Sequence, residues 1–289
     1  MTPSTLSTSL PTGALARLRA QKDFLSPSLR RVALYILESA ETVVYQTITE
    51  LASAVGVGEA SITRLCRKLD FPGFHAFKIS LTTDLAGITL GELSHGEHGE
   101  GVAHLALTAA RGASLALEET RRILEPEVLE SVARAVLGAR RVEITGQGNS
   151  GLAAQFFAQK LLRVGISVLA HTDPHISAVS ASTLSNRDVL IGVTRSGSTI
   201  DTVQNLKVAA KGGAFTVAVT HRATSPITQF AREILYTASP ESPLAGGALS
   251  SFSSQILLLE VLYLEIVSHL SDASDTIRKT AEAVVEKKF

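Results

Sequence analysis

Five short runs of β-branched and apolar residues, each followed by a stretch of helical composition, constrain this chain more than any other feature. The runs are Val142–Thr145, Ser167–Ala170, Val189–Thr194, Phe215–Thr220 and Ile234–Thr237, and the helical stretches lie near 151–164, 174–184, 200–211 and 226–231. Strands alternating with helices of this length build βαβ units. A five-stranded parallel sheet flanked on both faces by helices is therefore expected. Helices at about Val102–Leu124 and Pro126–Leu137 precede the first run, the second ending at Gly138 as a C-terminal cap would. An apolar helix at about Leu249–Leu270 and an amphipathic tail to Phe289 follow the last run.

Upstream the rhythm differs. Leu29, Val32, Ala33, Ile36 and Leu37 recur at three- and four-residue steps behind Ser26-Pro27, an N-cap with proline in the first helical position. A second short helix is expected at about Thr47–Ala54, broken by Gly56. A third starts near Gly58 and turns Ile62, Leu65, Cys66 and Leu69 inward. Between the two rhythms, the stretch Gly87–Gly101 carries five glycines and no sustained apolar period, so it reads as a linker. The expected organisation is multidomain: an all-α domain at 1–86, a linker at 87–101 and an α/β domain at 102–289. The length of 289 residues is itself about that of two domains.

Charge sharpens the division. Lys plus Arg and Asp plus Glu are both 27, a net charge of zero, which taken whole offers no nucleic-acid footprint. Residues 1–80 nevertheless hold nine basic and six acidic side chains, a net +3, and the remainder carries −3. Two parts with different partners are implied. The single cysteine excludes a disulfide framework and any multi-cysteine metal site. Neither a metal nor a cofactor is expected. No run of 18 apolar residues exists, and Met1–Pro11 lacks a basic-then-apolar signal pattern. A cytoplasmic protein with no membrane partner is the expectation.

Two short helices joined by Ala54-Val55-Gly56-Val57-Gly58 have the form of a helix-turn-helix. The third helix would enter the major groove of double-stranded operator DNA. Glu59, Ala60, Thr63 and Arg64 would face the bases, and Ser61, Arg67 and Lys68 the phosphates. Arg64 can bond guanine bidentately and Glu59 can accept from a cytosine amine. A helical bundle with a solvated charged face would carry the same pattern.

The residues Ser28, Ile36, Ile48-x-x-Leu51-Ala52 and Gly58-x-Ala60-Ser61-x-x-Arg64-x-x-Arg67-Lys68-Leu69 precede the block Phe71-Pro72-Gly73-Phe74-x-x-Phe77-Lys78. This set, from Ser26 to Lys78, resembles the N-terminal domain of RpiR-type bacterial transcriptional regulators. Asp70 stands where that family usually has glycine, and aspartate tolerates a left-handed backbone better than most residues.

The first strand runs into Gly146-Gln147-Gly148-Asn149-Ser150-Gly151, letter for letter the dinucleotide fingerprint. The acidic residue expected about 20 positions on is missing from 165–170, and Asp173 comes several residues late. The third strand leads into a second loop, Thr194-Arg195-Ser196-Gly197-Ser198-Thr199, also at a helix start. Both loops would lie at the carboxyl ends of parallel strands, where open sheets bind ligands. One monophosphate ringed by Ser150, Thr194, Ser196 and Thr199 fits better than a pyrophosphate. Ordinary N-caps would use the same residue types.

From about Leu129 to Leu264 the chain resembles the sugar isomerase (SIS) domain, the usual partner of the RpiR-type DNA-binding domain. The resemblance rests on Gly146-x-Gly148-x-Ser150, on Asp188-x-x-Ile191 before Thr194-x-Ser196-Gly197-x-Thr199, and on Thr220 followed by Ser225-Pro226-Ile227. It implies that Ser150, Thr194, Ser196 and Thr199 are phosphate ligands, Thr194 replacing a usual serine. Gly148, Asn149, Arg195, Gly197, Ser198 and His175 complete the candidate phosphosugar site.

An isomerase would need a carboxylate base and often a histidine. Glu260, His171, His175 and His221 are the candidates, and Glu260 sits among buried leucines where a structural or interface role fits better. The attached DNA-binding domain points instead to a sensor, a regulator of carbohydrate metabolism acting as a homodimer or tetramer, and not to an enzyme. The long helices near 102–124 and 249–270 offer dimer surfaces, or only cover the sheet. A phosphosugar isomerase or lyase with an accessory domain, and a dinucleotide-responsive regulator, are the competing readings.

Overall fold

The computed structural model describes residues 13–44, 46–95, 101–239 and 249–285, which fall into two compact units divided between residues 95 and 101. The first unit is all helix: α1 (Ala14–Gln21), α2 (Pro27–Glu38), α3 (Ala40–Val43), α4 (Ile48–Val55), α5 (Glu59–Lys68) and α6 (Phe74–His95). Its core is built from Leu15 and Leu18 of α1, Val32 and Ile36 of α2, Leu51 of α4, Ile62, Leu65 and Cys66 of α5, and Phe77 and Leu81 of α6. Each set recurs at helical spacing, so the apolar pattern alone folds these helices face inward.

Local chemistry fixes where the helices start and stop. Thr47 and Glu50 form a reciprocal capping box, the Glu50 amide donating to Thr47 Oγ1 at 3.1 Å and the Thr47 amide to Glu50 Oε2 at 2.6 Å. Helix α4 ends in left-handed Gly56 (φ 69°). Asp70 adopts φ 60°, the one positive φ outside glycine among the described residues. Burial pushes the Cys66 thiol up to about 12, which suits a core residue and not a reactive one.

The block that carried the family resemblance is a structural clasp. Phe77 is fully buried, with Phe71 edge-on at 5.4 Å and Phe74 stacked at 6.4 Å between ring centroids. Arg17 lies 4.9 Å over the Phe71 ring and donates to Leu69 O at 2.8 Å, and Lys78 Nζ donates to Gln46 O at 2.8 Å. The Arg17 and aromatic contacts tie α1 and α6 to the end of α5, and the Lys78 bond ties α6 to the turn before α4.

The stretch expected to be a linker begins as helix. Helix α6 runs on through Gly87 and Gly91 to His95. An internal glycine costs about 1 kcal/mol, but extending a formed helix needs no new nucleus, so two isolated glycines do not stop it. Residues 96–100 lie outside the described residues.

The second unit opens with α7 (Val102–Arg122) and α8 (Pro126–Gly138). It continues β1 (Arg141–Gly146), α9 (Asn149–Arg163), β2 (Val168–His171), α10 (Pro174–Ala181), β3 (Asp188–Val193), α11 (Ile200–Lys211), β4 (Phe215–Thr220) and β5 (Glu233–Tyr236). Helices α12 (Leu249–Ser268) and α13 (Ala273–Val285) close it. The segment Pro226–Phe230 is a 3-10 turn where a helix was expected. Gly138 ends α8 as its last helical residue, with the extended Ala139 following, and does not act as a left-handed cap.

All five strands are parallel, in the order β2-β1-β3-β4-β5. Helices α8, α9 and α12 pack on one face against Val142, Ile144, Ile191, Val193, Val217 and Val219. Helix α11 and the 3-10 turn pack on the other, against Leu190 and Ala218. Helix α12 is long and apolar enough to cross a membrane by length and composition, yet its Leu258, Leu259, Leu262 and Ile266 are buried in this core.

Helix α10 is docked by polar bonds, with Ile176 and Val179 left outward. Ser177 Oγ donates to Thr145 Oγ1 at 3.0 Å, Asn205 Nδ2 to Ser177 Oγ at 2.7 Å and Ser180 Oγ to Glu143 Oε1 at 2.6 Å. Buried Glu143 also lies 3.1 Å from Arg141 Nε and 3.4 Å from His171 Nε2. Burial raises its carboxyl, but the nearby His171 ring, the hydrogen bond from Ser180 and the charge of Arg141 outweigh it and hold the group below its ordinary value.

Asp188 anchors the start of β3. It takes a bidentate bond from Arg140, both contacts at 2.9 Å, and accepts from the Ser185 amide and hydroxyl. The Arg140 bond, opposed by burial, brings its carboxyl to about 2. A carboxyl depressed on folding contributes stability above the unfolded value near 4, and that contribution is lost as pH falls towards 2. Asp188→Asn should therefore unfold at lower urea than the wild type at pH 7, with the gap closing between pH 4 and 2. Asp70→Gly should raise the unfolding free energy by about 1 kcal/mol by relieving the left-handed strain, read from the same urea curves.

Candidate functional site

The strand order locates the site. Helix α9 leaves β1 for one face of the sheet and α11 leaves β3 for the other. The two strands are neighbours, paired from Arg141↔Asp188 to Gly146↔Val193. Loops that diverge from adjacent parallel strands open a crevice at the carboxyl edge, and helix N-termini border it.

The first loop stays close to the sheet. A Cβ on Gly146 would come within 2.7 Å of Ser150 O and 3.0 Å of Val193 O, so glycine there lets the β1 loop lie against both α9 and β3. The second loop is tied to the exit of β4. Thr194 N donates to Val219 O, His221 N to Arg195 O and Ile227 N to Gly197 O, at 2.9, 3.1 and 3.0 Å. Gly197 has φ 66°, and a Cβ on it would fall 2.0 Å from Ser225 Oγ, so no other residue fits. This contact gives Ser225-Pro226-Ile227 its part in the motif.

The hydroxyls are arranged as donors. Ser150 Oγ accepts from Gln255 Nε2 at 3.0 Å, and Ser196 Oγ accepts from the Ser198 amide at 3.2 Å. Thr194 Oγ1 and Thr199 Oγ1 share one hydrogen bond at 2.9 Å, which uses one of their two protons. Each hydroxyl has a single proton to give. Three protons therefore lack an acceptor among the described residues, beside two helix N-termini. That set suits the three terminal oxygens of a phosphate monoester.

The other expected residues are placed as follows. Gly148 and Asn149 are exposed at the start of α9, Arg195 and Ser198 are partly buried in the second loop, and His175 is exposed on the first turn of α10. Asp173 caps α10, accepting from the Ile176 amide at 2.8 Å, so β2 ends without a carboxylate for a ribose. Glu260 is held by Lys160 Nζ at 2.6 and 2.7 Å, and that ammonium lies 4.2 Å over the Tyr263 ring. This is a structural ion pair. Gln255 and Glu143 escaped the sequence reading, which had named only His171 of the cluster around Glu143, because a lone polar residue in an apolar helix or strand has no local signature.

On the helical unit, α5 turns Glu59, Ala60, Arg64, Arg67 and Lys68 to solvent and leaves Thr63 half-buried. Glu59 Oε1 accepts from Thr49 Oγ1 at 2.6 Å, joining α4 to α5, and Thr63 Oγ1 donates back to Glu59 O at 3.2 Å. Lys68 Nζ donates to Phe24 O at 3.4 Å. Ser61 departs from its expected phosphate role. It is buried, and its Oγ accepts from Arg64 Nη2 at 3.2 Å, because its place on α5 faces the core side.

Residues 12–87 match the helix-turn-helix domain of the rpiR family, and residues 136–265 match the SIS domain. An HTH-type transcriptional regulator of Haemophilus influenzae is 32% identical, over 92% of this chain and 94% of its own length. The chain belongs to the RpiR family. Escherichia coli HTH-type transcriptional regulator RpiR is 28% identical over 98% of this chain and 97% of its own. The structure of the Vibrio vulnificus NanR protein complexed with ManNAc-6P superposes with a TM-score of 0.79 at 31% identity, covering 95% of this chain and 99% of that one. This RpiR-family chain is accordingly a transcriptional regulator with a SIS domain, not an enzyme.

Arg64→Ala should cost about 1–3 kcal/mol of operator affinity and relax specificity at one base position, whereas Arg67→Ala should weaken binding to all sequences and lower the salt slope by about 1. Footprinting and salt titration separate the two, and an unchanged Arg64→Ala footprint would remove that residue from base reading.

Proposed function

We propose that this regulator controls genes of carbohydrate metabolism, reading double-stranded operator DNA with α5 and sensing a phosphorylated sugar or sugar acid at the loops after β1 and β3. The observation that carries the reading is the set of three uncommitted hydroxyl protons, from Ser150, Ser196 and the Thr194–Thr199 pair, at the divergence of β1 and β3. The sugar phosphate bound in the NanR structure supports the same ligand class here. Gly148, Asn149, Arg195, Gly197, Ser198 and His175 frame the sugar end. Glu59, Ala60, Thr63, Arg64, Arg67 and Lys68 form the DNA face.

The protein acts as a cytoplasmic homo-oligomer. Helix α7 supports this, since Val102, Leu105, Leu107 and Leu115 are exposed along it and only Ala116 and Thr120 are buried, leaving apolar side chains that another copy would cover. Two copies would present two α5 helices to half-sites about one DNA turn apart. An effector that prefers one arrangement by about 1.4 kcal/mol shifts DNA affinity tenfold.

A thermal-shift panel of hexose 6-phosphates, N-acetylhexosamine 6-phosphates, sugar acid phosphates and NAD is the test. A sugar phosphate should raise the midpoint of the wild type, and Ser196→Ala should blunt the shift. A response to NAD alone, or an equal response in Ser196→Ala, rejects the site.

A further inference from the structure

Gln255 is 2% exposed, on a helix whose other inward residues include Leu258, Leu259 and Leu262. An amide buried in such surroundings is retained only with its hydrogen bonds made. Its Nε2 donates to Ser150 Oγ at 3.0 Å, across 105 positions of sequence. The preceding residue fixes the helix in register. Ser254 Oγ donates to Ala238 O and, at 3.0 Å, to Ser250 O, while Thr120 Oγ1 of α7 donates to the same Ala238 O at 2.9 Å and accepts from its amide at 3.0 Å. Helix α12 thus presents a polar edge that is bonded to Ala238, just beyond β5, where α7 is bonded too, and to the candidate phosphate loop.

A serine hydroxyl has one proton and two lone pairs. The amide of Gln255 occupies a lone pair, so it cannot take the proton, and the Ser150 O–H is left to donate elsewhere. We infer that Gln255 is a positioning residue of the effector site, which fixes the Ser150 hydroxyl as a donor to the anionic end of the ligand. This rests on the reading of the two loops as a phosphosugar site. It extends that site to α12, a helix that neither loop motif includes. Reversing the polarity of residue 255 should therefore disable Ser150 without touching it. In Gln255→Glu the carboxylate only accepts, so it draws the Ser150 proton away from the ligand and adds a negative charge behind it. In Gln255→Met the shape is kept and the orienting bond is lost.

The test is calorimetric titration of the full chain with inorganic phosphate, a hexose 6-phosphate and an N-acetylhexosamine 6-phosphate. Gln255→Met should bind about tenfold more weakly than wild type, and Gln255→Glu more weakly still. Ser150→Ala combined with Gln255→Met should bind no more weakly than Ser150→Ala alone, because residue 255 acts only through that hydroxyl. Losses that add in the double variant overturn the inference, as does unchanged affinity in both Gln255 variants. Two near-isosteric replacements, one an acceptor and one apolar, each checked by its melting midpoint, keep a folding defect in one from deciding the result. If wild type binds none of the three probes, the phosphosugar reading itself fails, a separate outcome.

Discussion

The divergence of α9 and α11 from adjacent strands is the constraint on which the rest of the SIS unit depends. Crossovers between parallel strands are right-handed, so the chain must use one face of the sheet when it steps from β1 outward to β2 and the other face when it steps from β2 back to β3 and onward. Between β1 and β3 no helix can cover the carboxyl edge. Two loops and two helix N-termini are left there with unspent donors, and the residues that fill the loops are glycine for close approach and serine or threonine for hydroxyls. Under the proposed function, one monophosphate suits the crevice better than a dinucleotide. The strand that would supply a ribose carboxylate ends in His171, and the next acid along the chain, Asp173, is committed to capping α10.

In the helical unit the corresponding constraint is the commitment of one face of α5 to the core. Ile62, Leu65 and Cys66 point inward and take Ser61 with them, so only the remaining positions are free to meet DNA. The aromatic clasp of Phe71, Phe74 and Phe77, with Arg17 and Lys78 laid against it, holds the end of that helix. Two of the unit's nine basic side chains therefore serve packing, and the electrostatic surface is narrower than the +3 count of its sequence suggests.

Much of this was legible in sequence because it is written in local periodicity. The strand runs lie within one or two residues of β1 to β5, Ser26-Pro27 does open α2, and Asp70 does take a left-handed conformation. That Ser150, Thr194, Ser196 and Thr199 gather at two strand-to-helix junctions was also legible, because each segment sits directly between an apolar run and a helical one. What failed to declare itself was non-local. Helix α10 hides its attachment because its inward face is polar, and the glycines of 87–91 suggested a break that an established helix overrides.

The sequence by itself determined the two rhythms, the parallel sheet, the helix-turn-helix and the residue types gathered in each loop, since each follows from spacing along a few turns of chain. Only the tertiary structure decided the protons. It paired Thr194 with Thr199, turned Ser196 onto its own backbone, buried Ser61 under Arg64 and brought Gln255 to Ser150 from 105 positions away. A hydroxyl can donate or accept, and which it does depends on the neighbour that reaches it first. For the threonine pair, Ser196 and Ser61 that neighbour lies within five residues and is set by how the loop or helix folds. For Ser150 it is set by how α12 packs on the sheet, which no local pattern encodes.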